Sequence, residues 1–418
     1  MLQTIRNAWK IDELRKKILF TLFIILLYRV GNSIPVPYVN VDMLRSYFTT
    51  LENTVLGLYN VMSGGAFSSA TIFALSIQPY INASIIIQLL CIAIPALERM
   101  AKDEGEEGKK KINNITRYST VAIGLLQGFA YYTLISRNNL LSESGVWQGI
   151  VIVLTFTAGS ALIMWLGEQI TEFGIGNGIS IILFASIISR FPTSIINMVR
   201  NLASGAVKWW VLLLMIIGAL LMIVLIVIVN NAERRIPVQY SKRVVGRKMY
   251  GGQSTHLPMK VNMSGVLPVI FAQSIASLPA TIAALMGKTI SWMDTSGLLY
   301  AFIYFLLIIF FSYFYSTIQF NPIEVANNLK KNGGFVPGLR PGKPTIDFLM
   351  RVLNKITMFG ALYLSVIAIA PIITGNLVGY NSLAIGGTSV IIVVGVALET
   401  VKQMEAQMLM RHYKGFLE

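Results

Sequence analysis

Apolar and polar positions along this chain alternate in blocks. Ten apolar runs are long enough to cross a bilayer, which takes roughly 20 helical residues. They lie at 18–38, 71–97, 115–136, 147–166, 178–195, 209–229, 263–285, 298–318, 353–373 and 383–398. The pattern predicts an all-α integral membrane protein with ten transmembrane helices. The first run follows a basic stretch, 1–17, in the manner of a signal peptide. No small-residue cleavage site follows it, only Arg29-Val-Gly-Asn-Ser-Ile-Pro-Val-Pro37. It is therefore read as an uncleaved first span, the weakest of the ten, in which Arg29 has to snorkel or pair.

One segment departs from the pattern. Residues 57–69 are mildly apolar, too short to span, and broken by Gly64-Gly65. An interfacial helix is one reading. The other is a re-entrant piece, because broken backbone at membrane depth has to be covered by protein or water.

Composition supports the membrane assignment. Hydrophobic residues make up 55% of the 418 and charged residues 13%, against about a quarter charged in a soluble domain. The single cysteine, Cys91, excludes an internal disulfide and any multi-cysteine zinc site. His256 and His412 lie in basic, polar stretches outside the runs, so no metal centre and no cofactor are expected.

The net charge of +15 is informative through its placement. Of 34 Lys and Arg, seven (Arg29, Arg45, Arg137, Arg190, Arg200, Lys208 and Lys288) fall on one side of a ten-span layout, and the rest fall on the other. Basic residues stay on the cytoplasmic side, which predicts cytoplasmic N- and C-termini and an even span count. Two loops on the basic side are long, about 230–262 and 319–352. Attraction to lipid headgroups accounts for their charge but not for their length. Docking surfaces for a large acidic or nucleic-acid-containing partner account for both. The second loop carries Gly333-Gly-Phe-Val-Pro-Gly-Leu-Arg-Pro-Gly342, a turn-rich stretch that presents Arg340 at a stiff tip.

The spans contain a weak internal repeat. Pro79-Tyr-Ile81-Asn-Ala83 in span two is echoed by Pro268-Val-Ile270-Phe-Ala272 in span seven. Gly178-Ile-Ser180-Ile-Ile182-Leu183 in span five is echoed by Gly387-Thr-Ser389-Val-Ile391-Ile392 in span ten. Both echoes are five spans apart. Five is odd, so the halves are inverted in the membrane, as in many channels and transporters. The repeated positions are aliphatic. Ordinary helix packing is one account of them. A constriction of aliphatic side chains is another: it dewets, blocks ions without charge, and yields around a passing chain. Gln88 and Asn262 are rare polar residues in or beside spans, read either as interhelical ties or as parts of a separable seam.

Longer stretches are specific to a family. Ile72-Phe-Ala-Leu-Ser-Ile-Gln-Pro-Tyr-Ile-Asn-Ala-Ser-Ile-Ile-Ile-Gln-Leu-Leu90 and Met164-Trp-Leu-Gly-Glu-Gln-Ile-Thr-Glu-Phe-Gly-Ile-Gly-Asn-Gly-Ile-Ser-Ile-Ile182 resemble the two signatures of the SecY/Sec61-alpha family of channel subunits. Gln253-Ser-Thr-His-Leu-Pro-Met-Lys-Val-Asn262, Asn328-Leu-Lys-Lys331 and Phe335-Val-Pro-Gly-Leu-Arg-Pro-Gly342 are similar to its loops. Ser76 stands where glycine is common, and Leu183 where isoleucine is common.

The resemblance implies two inverted five-helix halves, 1–205 and 206–418, around a central pore. It implies a protein-conducting channel in the plasma membrane that passes unfolded secretory polypeptides and releases transmembrane segments sideways into lipid. The pore ring would be Ile77, Ile81, Ile179, Leu183, Ile270 and Ile392. A plug at about 57–70 would include Tyr59, Asn60, Met62, Ser63, Gly64, Gly65, Ala66 and Phe67. A lateral gate would open between spans two and three and spans seven and eight, near Gln88, Asn262 and Ser274. Arg243, Arg247, Lys248, Lys330, Lys331 and Arg340 would receive the motor ATPase SecA or the ribosome. SecE and SecG would be companion subunits.

No catalytic constellation is present: there is no Walker loop, no HExxH and no Gly-x-Ser-x-Gly elbow. The chain is not expected to be an enzyme, and energy has to come from a partner. Glu168 and Glu172 flank a loop, where a structural salt bridge or cap is the expected role. A secondary transporter also has inverted repeats, but it usually carries ionisable residues at the midplane. A membrane scaffold needs neither a plug nor an aliphatic ring.

Overall fold

The computed structural model describes residues 2–50, 55–102, 104–143, 145–205, 208–240, 243–245, 248–250, 254–263, 265–285, 297–378 and 387–414. The helices in chain order are α1 (Leu2–Lys10), α2 (Asp12–Gly31), α3 (Val41–Thr50), α4 (Val55–Met62), α5 (Gln78–Ala93), α6 (Pro95–Lys102), α7 (Gly105–Arg137), α8 (Val146–Phe173), α9 (Gly178–Ile188), α10 (Phe191–Ala203), α11 (Trp209–Asn231), α12 (Leu267–Leu285), α13 (Leu298–Gln319), α14 (Pro322–Lys331), α15 (Lys343–Val378) and α16 (Gly387–Lys414). Each of the ten apolar runs coincides with a helix. Among the described residues, Val146–Phe173, Gly178–Ala203, Trp209–Asn231, Leu298–Lys331 and Lys343–Ala370 are each long and apolar enough to cross a membrane alone. α5 and α6 are long and apolar enough only as a pair, bent by 107° at the break between them. The bend falls at Ile94, which is extended (φ −110°, ψ 111°). It precedes Pro95, whose ring disfavours the helical conformation in the residue before it.

Three of the boundaries that differ from the sequence reading are informative. The second span begins as a helix only at Gln78. Residues 63–77 form turns, with Ser76 at φ +50° and Thr71 bridged to Pro35. Apolar composition runs unbroken through this boundary, so periodicity did not mark it. The fifth run crosses the turn at Ser189 and Arg190 that separates α9 from α10. The tenth continues well past 398, because α16 carries its polar end to Lys414.

The long basic loops are not only coil. β1 (Glu233–Tyr240) pairs antiparallel with β4 (Ser254–Lys260), and β2 (Arg243–Val245) pairs with β3 (Lys248–Tyr250) between them. β5 (Gly334–Phe335), from the second loop, adds to β1 and gives the order β4-β1-β5. The sequence carried a signal for this. Ile236 and Val238 are buried while their neighbours Arg235, Pro237 and Gln239 are exposed, an alternation of period two. Ile236 and Met259 then pack with Ala326, Val336, Leu349 and Leu353, so the hairpin, α14 and the start of α15 form one small unit. Asn321 caps α14, its Oδ1 accepting from Ile323 N at 3.1 Å, and Pro322 sits at the first turn.

Helix contacts define two ends. At one end Thr4 Oγ1 donates to Glu405 at 3.0 Å and Lys402 Nζ to Asn230 O at 3.5 Å, which sets α1 and the end of α16 beside the base of the hairpin. Arg117 and Glu168 form a 2.8 Å ion pair joining α7 to α8, the structural bridge expected for Glu168. At the other end Val39 is bridged to Leu141, and Arg45 Nε donates to Ser69 Oγ at 3.1 Å.

Glycine sets several close approaches. A Cβ on Gly178 would lie 1.9 Å from Gly167 O, and one on Gly159 would lie 2.0 Å from Ile72 O. Helix association in lipid relies on such small-residue contacts, because burial from water does not drive it there.

Candidate functional site: an apolar waist and its plug

Four helices supply the aliphatic residues singled out by the repeat. Ile81 comes from α5, Leu183 from α9, Ile270 from α12 and Ile392 from α16. Ile77 is the N-cap of α5 rather than part of its helix, and its carbonyl accepts from Ile81 N at 3.1 Å. These five are between 1% and 6% exposed and belong to a single apolar cluster. Ile179 is only partly buried against that cluster, and its Cγ1 lies 3.4 Å from the place of a Cβ on Gly167, so it leans on α8. The cluster therefore joins elements far apart in sequence, with no hydrogen-bonding side chain among the six. Burying each aliphatic side chain is worth roughly 1.5–3 kcal/mol, and that stabilisation favours the packed arrangement.

The segment expected to form the plug, 57–70, reaches this cluster through Met62. Met62, the last residue of α4, is part of it, and α4 packs against α9 and α12. Gln78 Nε2 donates to Met62 Sδ at 3.1 Å. Tight turns then follow. Gly64 (φ +68°) and Gly65 (φ +91°) occupy conformations that side chains rarely adopt. A Cβ on Gly64 would come within 2.9 Å of Ser186 O on α9.

Local hydrogen bonds close the turn. Ser63 Oγ donates to Asn60 O and accepts from Phe67 N, each at 3.1 Å, and Asn60 Oδ1 accepts from Ser68 N at 2.9 Å. Ala66 and Phe67 are buried; Tyr59 is half-buried. The Phe67 ring stacks on Tyr131 of α7 with centroids 4.2 Å apart, and the Tyr131 hydroxyl donates to Phe67 O. Phe67 belongs to a second apolar cluster with Phe48, Tyr131 and Phe156. Tyr131 and Gln78 are contributors that sequence reasoning passed over. A glutamine beside Pro79 in an apolar run was the available signal for Gln78, whereas Tyr131 gave none.

α12 packs against α5 and α7, which closes the seam expected between spans two, three, seven and eight. Ser274 is buried on α12. The two amide residues assigned to that seam do not meet across it. Gln88 Nε2 donates to Ser84 Oγ at 3.2 Å within its own helix, and Asn262 Nδ2 donates to Asn230 Oδ1 at 2.9 Å at the base of the hairpin.

Of the basic residues assigned to docking, Lys330 and Lys331 end α14, where a cation complements the helix dipole, and both are exposed. Arg340 is exposed on a tip framed by Gly338 (φ +83°) and Gly342 (φ +106°), and its carbonyl accepts from Thr345 Oγ1 at 2.9 Å. Arg243 and Lys248 lie on the paired strands β2 and β3. Arg247 lies outside the described residues.

Comparison with known proteins agrees in sequence and in fold. The SecY family model matches residues 71–401. Protein translocase subunit SecY of Streptomyces scabiei is 46% identical over 440 residues, covering 100% of both chains. Its counterpart from Thermus thermophilus is 42% identical over 432 residues, covering 100% of this chain and 98% of its own. Among solved structures, one described as a protein conducting channel superposes with a TM-score of 0.67 at 16% identity, covering 94% of this chain and 92% of that one. Sec61 from the canine ribosome-channel complex of the endoplasmic reticulum superposes with a TM-score of 0.62 at 15% identity over the same shares. Full-length identity, a matching family signature and a shared helical architecture converge, and the chain belongs to the SecY family of multi-pass membrane translocase subunits.

Proposed function

We propose that this chain, a protein-conducting channel and not an enzyme, holds its pore shut with Ile77, Ile81, Ile179, Leu183, Ile270 and Ile392, and covers them with the segment 57–70. The observation that supports this reading is that Ile77, Ile81, Leu183, Ile270 and Ile392 share one buried apolar cluster with Met62 of α4, with Ile179 packed against it. An uncharged aliphatic waist excludes ions by dewetting and offers no hydrogen bond to retain a passing chain. Secretory polypeptides pass through it unfolded. Transmembrane segments leave sideways between α5–α7 and α12–α13, drawn by transfer of apolar surface to lipid at roughly 25 cal/mol per Å². The halves 1–205 and 206–418 move as the two jaws of that opening.

The finer assignments follow from charge and exposure. The basic loops, α1, the end of α16 and the hairpin share one end, and the positive-inside rule assigns that end to the cytoplasm of a plasma membrane. SecA or the ribosome docks there, on the unit carrying Arg243, Arg247, Lys248, Lys330, Lys331 and Arg340. SecE and SecG cover apolar faces such as that of α11, where only Val211, Ile226 and Val229 are buried; lipid covers the rest.

The test uses a stalled secretory chain carrying one cysteine. In a Cys91→Ala background, Ile392→Cys and Ile270→Cys are expected to form disulfides with it, whereas Leu220→Cys, on an exposed face of α11, is not. Equal crosslinking at all three positions would overturn the waist. Docking has its own test. Arg340→Glu is expected to lower motor-driven export by about tenfold, the effect of losing some 1.4 kcal/mol of a charge-assisted contact, with normal membrane assembly. Normal export would remove Arg340 from the docking surface.

A further inference from the structure

The docking unit meets the waist at its neck. The hairpin leaves α11 at Asn230 and returns to α12 through Val261 and Asn262. Across the neck Asn262 Nδ2 donates to Asn230 Oδ1 at 2.9 Å, and Val261 N donates to Ala232 O at 2.9 Å. Lys402 Nζ of α16 donates to Asn230 O at 3.5 Å. α15 and α16 also approach closely here, each at a glycine. A Cβ on Gly360 of α15 would lie 2.9 Å from Val261 O, and one on Gly395 of α16 would lie 2.8 Å from Val266 Cγ2.

The Val266–Gly395 contact stands one helical turn from the waist. Val266 O accepts from Ile270 N at 3.3 Å, and Gly395 follows Ile392 by three residues. Asn262 is buried, and among the described residues its Oδ1 has no hydrogen-bond partner, so the amide pair hangs on one bond. Close-packed contacts of this kind transmit displacement rather than absorb it.

We propose that Asn230 and Asn262 are positioning residues that lock the neck of the docking hairpin to α12 and α16, so that a partner displacing the hairpin moves Ile270 and Ile392 together. This rests on the assignment of the waist and the docking unit made above. It also gives Asn262 a different role from the lateral seam: the residue couples docking to opening.

The test uses the full chain with its companion subunits in proteoliposomes, supplied with motor ATPase and an unfolded secretory protein. Asn262→Leu is expected to lower the maximal translocation rate at saturating motor by about tenfold, within the usual range of a coupling contact, while motor affinity stays within about twofold. Asn230→Asp keeps the acceptor and is expected to translocate normally. Gly395→Ala, which presses on Val266, is expected to alter the rate without altering motor affinity, and it serves if Asn262→Leu fails to assemble. A wild-type rate in both Asn262→Leu and Gly395→Ala would overturn the proposal. So would a loss of motor binding that matches the loss of rate, or an Asn230→Asp variant as defective as Asn262→Leu. Failure of the waist assignment itself would show separately, as an unchanged resting conductance when Ile81 and Ile270 are removed.

Discussion

Replacing Ile81 and Ile270 together by glycine is expected to raise the ion conductance of the resting channel in planar bilayers by about tenfold or more, because it takes two aliphatic side chains out of the constriction. The two positions correspond in the sequence echo, and the fold buries both in one cluster, Ile81 on α5 and Ile270 on α12. Each removal forfeits roughly 1.5–3 kcal/mol of apolar burial and leaves space that water can enter. Glycine also loosens each helix by roughly 1 kcal/mol relative to alanine. Ile81→Ala with Ile270→Ala separates the causes: it reduces side-chain volume while retaining helix propensity, and it should leak to an intermediate degree. A double-glycine variant with the baseline of the parent channel would show that the seal lies elsewhere.

Gly178→Ala is expected to have the largest effect on the folded state. Its Cβ would stand 1.9 Å from Gly167 O, a backbone atom that no rotamer change can move away. α8 and α9 then have to separate, and α9 carries Leu183 into the buried apolar cluster. Overpacking of this kind costs about 1–3 kcal/mol and more where backbone is involved. The measurement is thermal unfolding in detergent together with resting conductance, and both should worsen. Gly218→Ala is the control, since nothing lies within 4 Å of a Cβ there. Equal stability of the two variants would show that α8 and α9 are not held at this distance.

The spans were legible because lipid imposes a length and a composition on any helix that crosses it. The aliphatic positions proposed for the waist stood out because the sequence repeats them, Ile81 with Ile270 and Leu183 with Ile392. Other features left no such mark. The start of α5 at Gln78 is set by turns at Ser76 and Thr71 inside an unbroken apolar run, so composition is blind to it. The break at Ile94 was signalled by Pro95, yet the apolar residues on both sides masked it. The partner of Asn262 is Asn230, 32 residues away in sequence. A polar residue at the edge of a span says that it needs a partner and not which one. The joining of the two basic loops through β5 depends on only two residues, Gly334 and Phe335, too few to produce a periodic pattern.

The segment between α4 and α5 is held twice. Met62 belongs to one apolar cluster and Phe67, five residues later, to the other. Lifting it away strips both anchorages in a single event, because the intervening turn is too short to let one go while the other stays. If this segment is the plug proposed above, a stopper fastened in this way favours two conditions, seated or gone. The background leak of such a conduit is then governed by how rarely the whole piece departs, rather than by how wide a gap it leaves when it trembles.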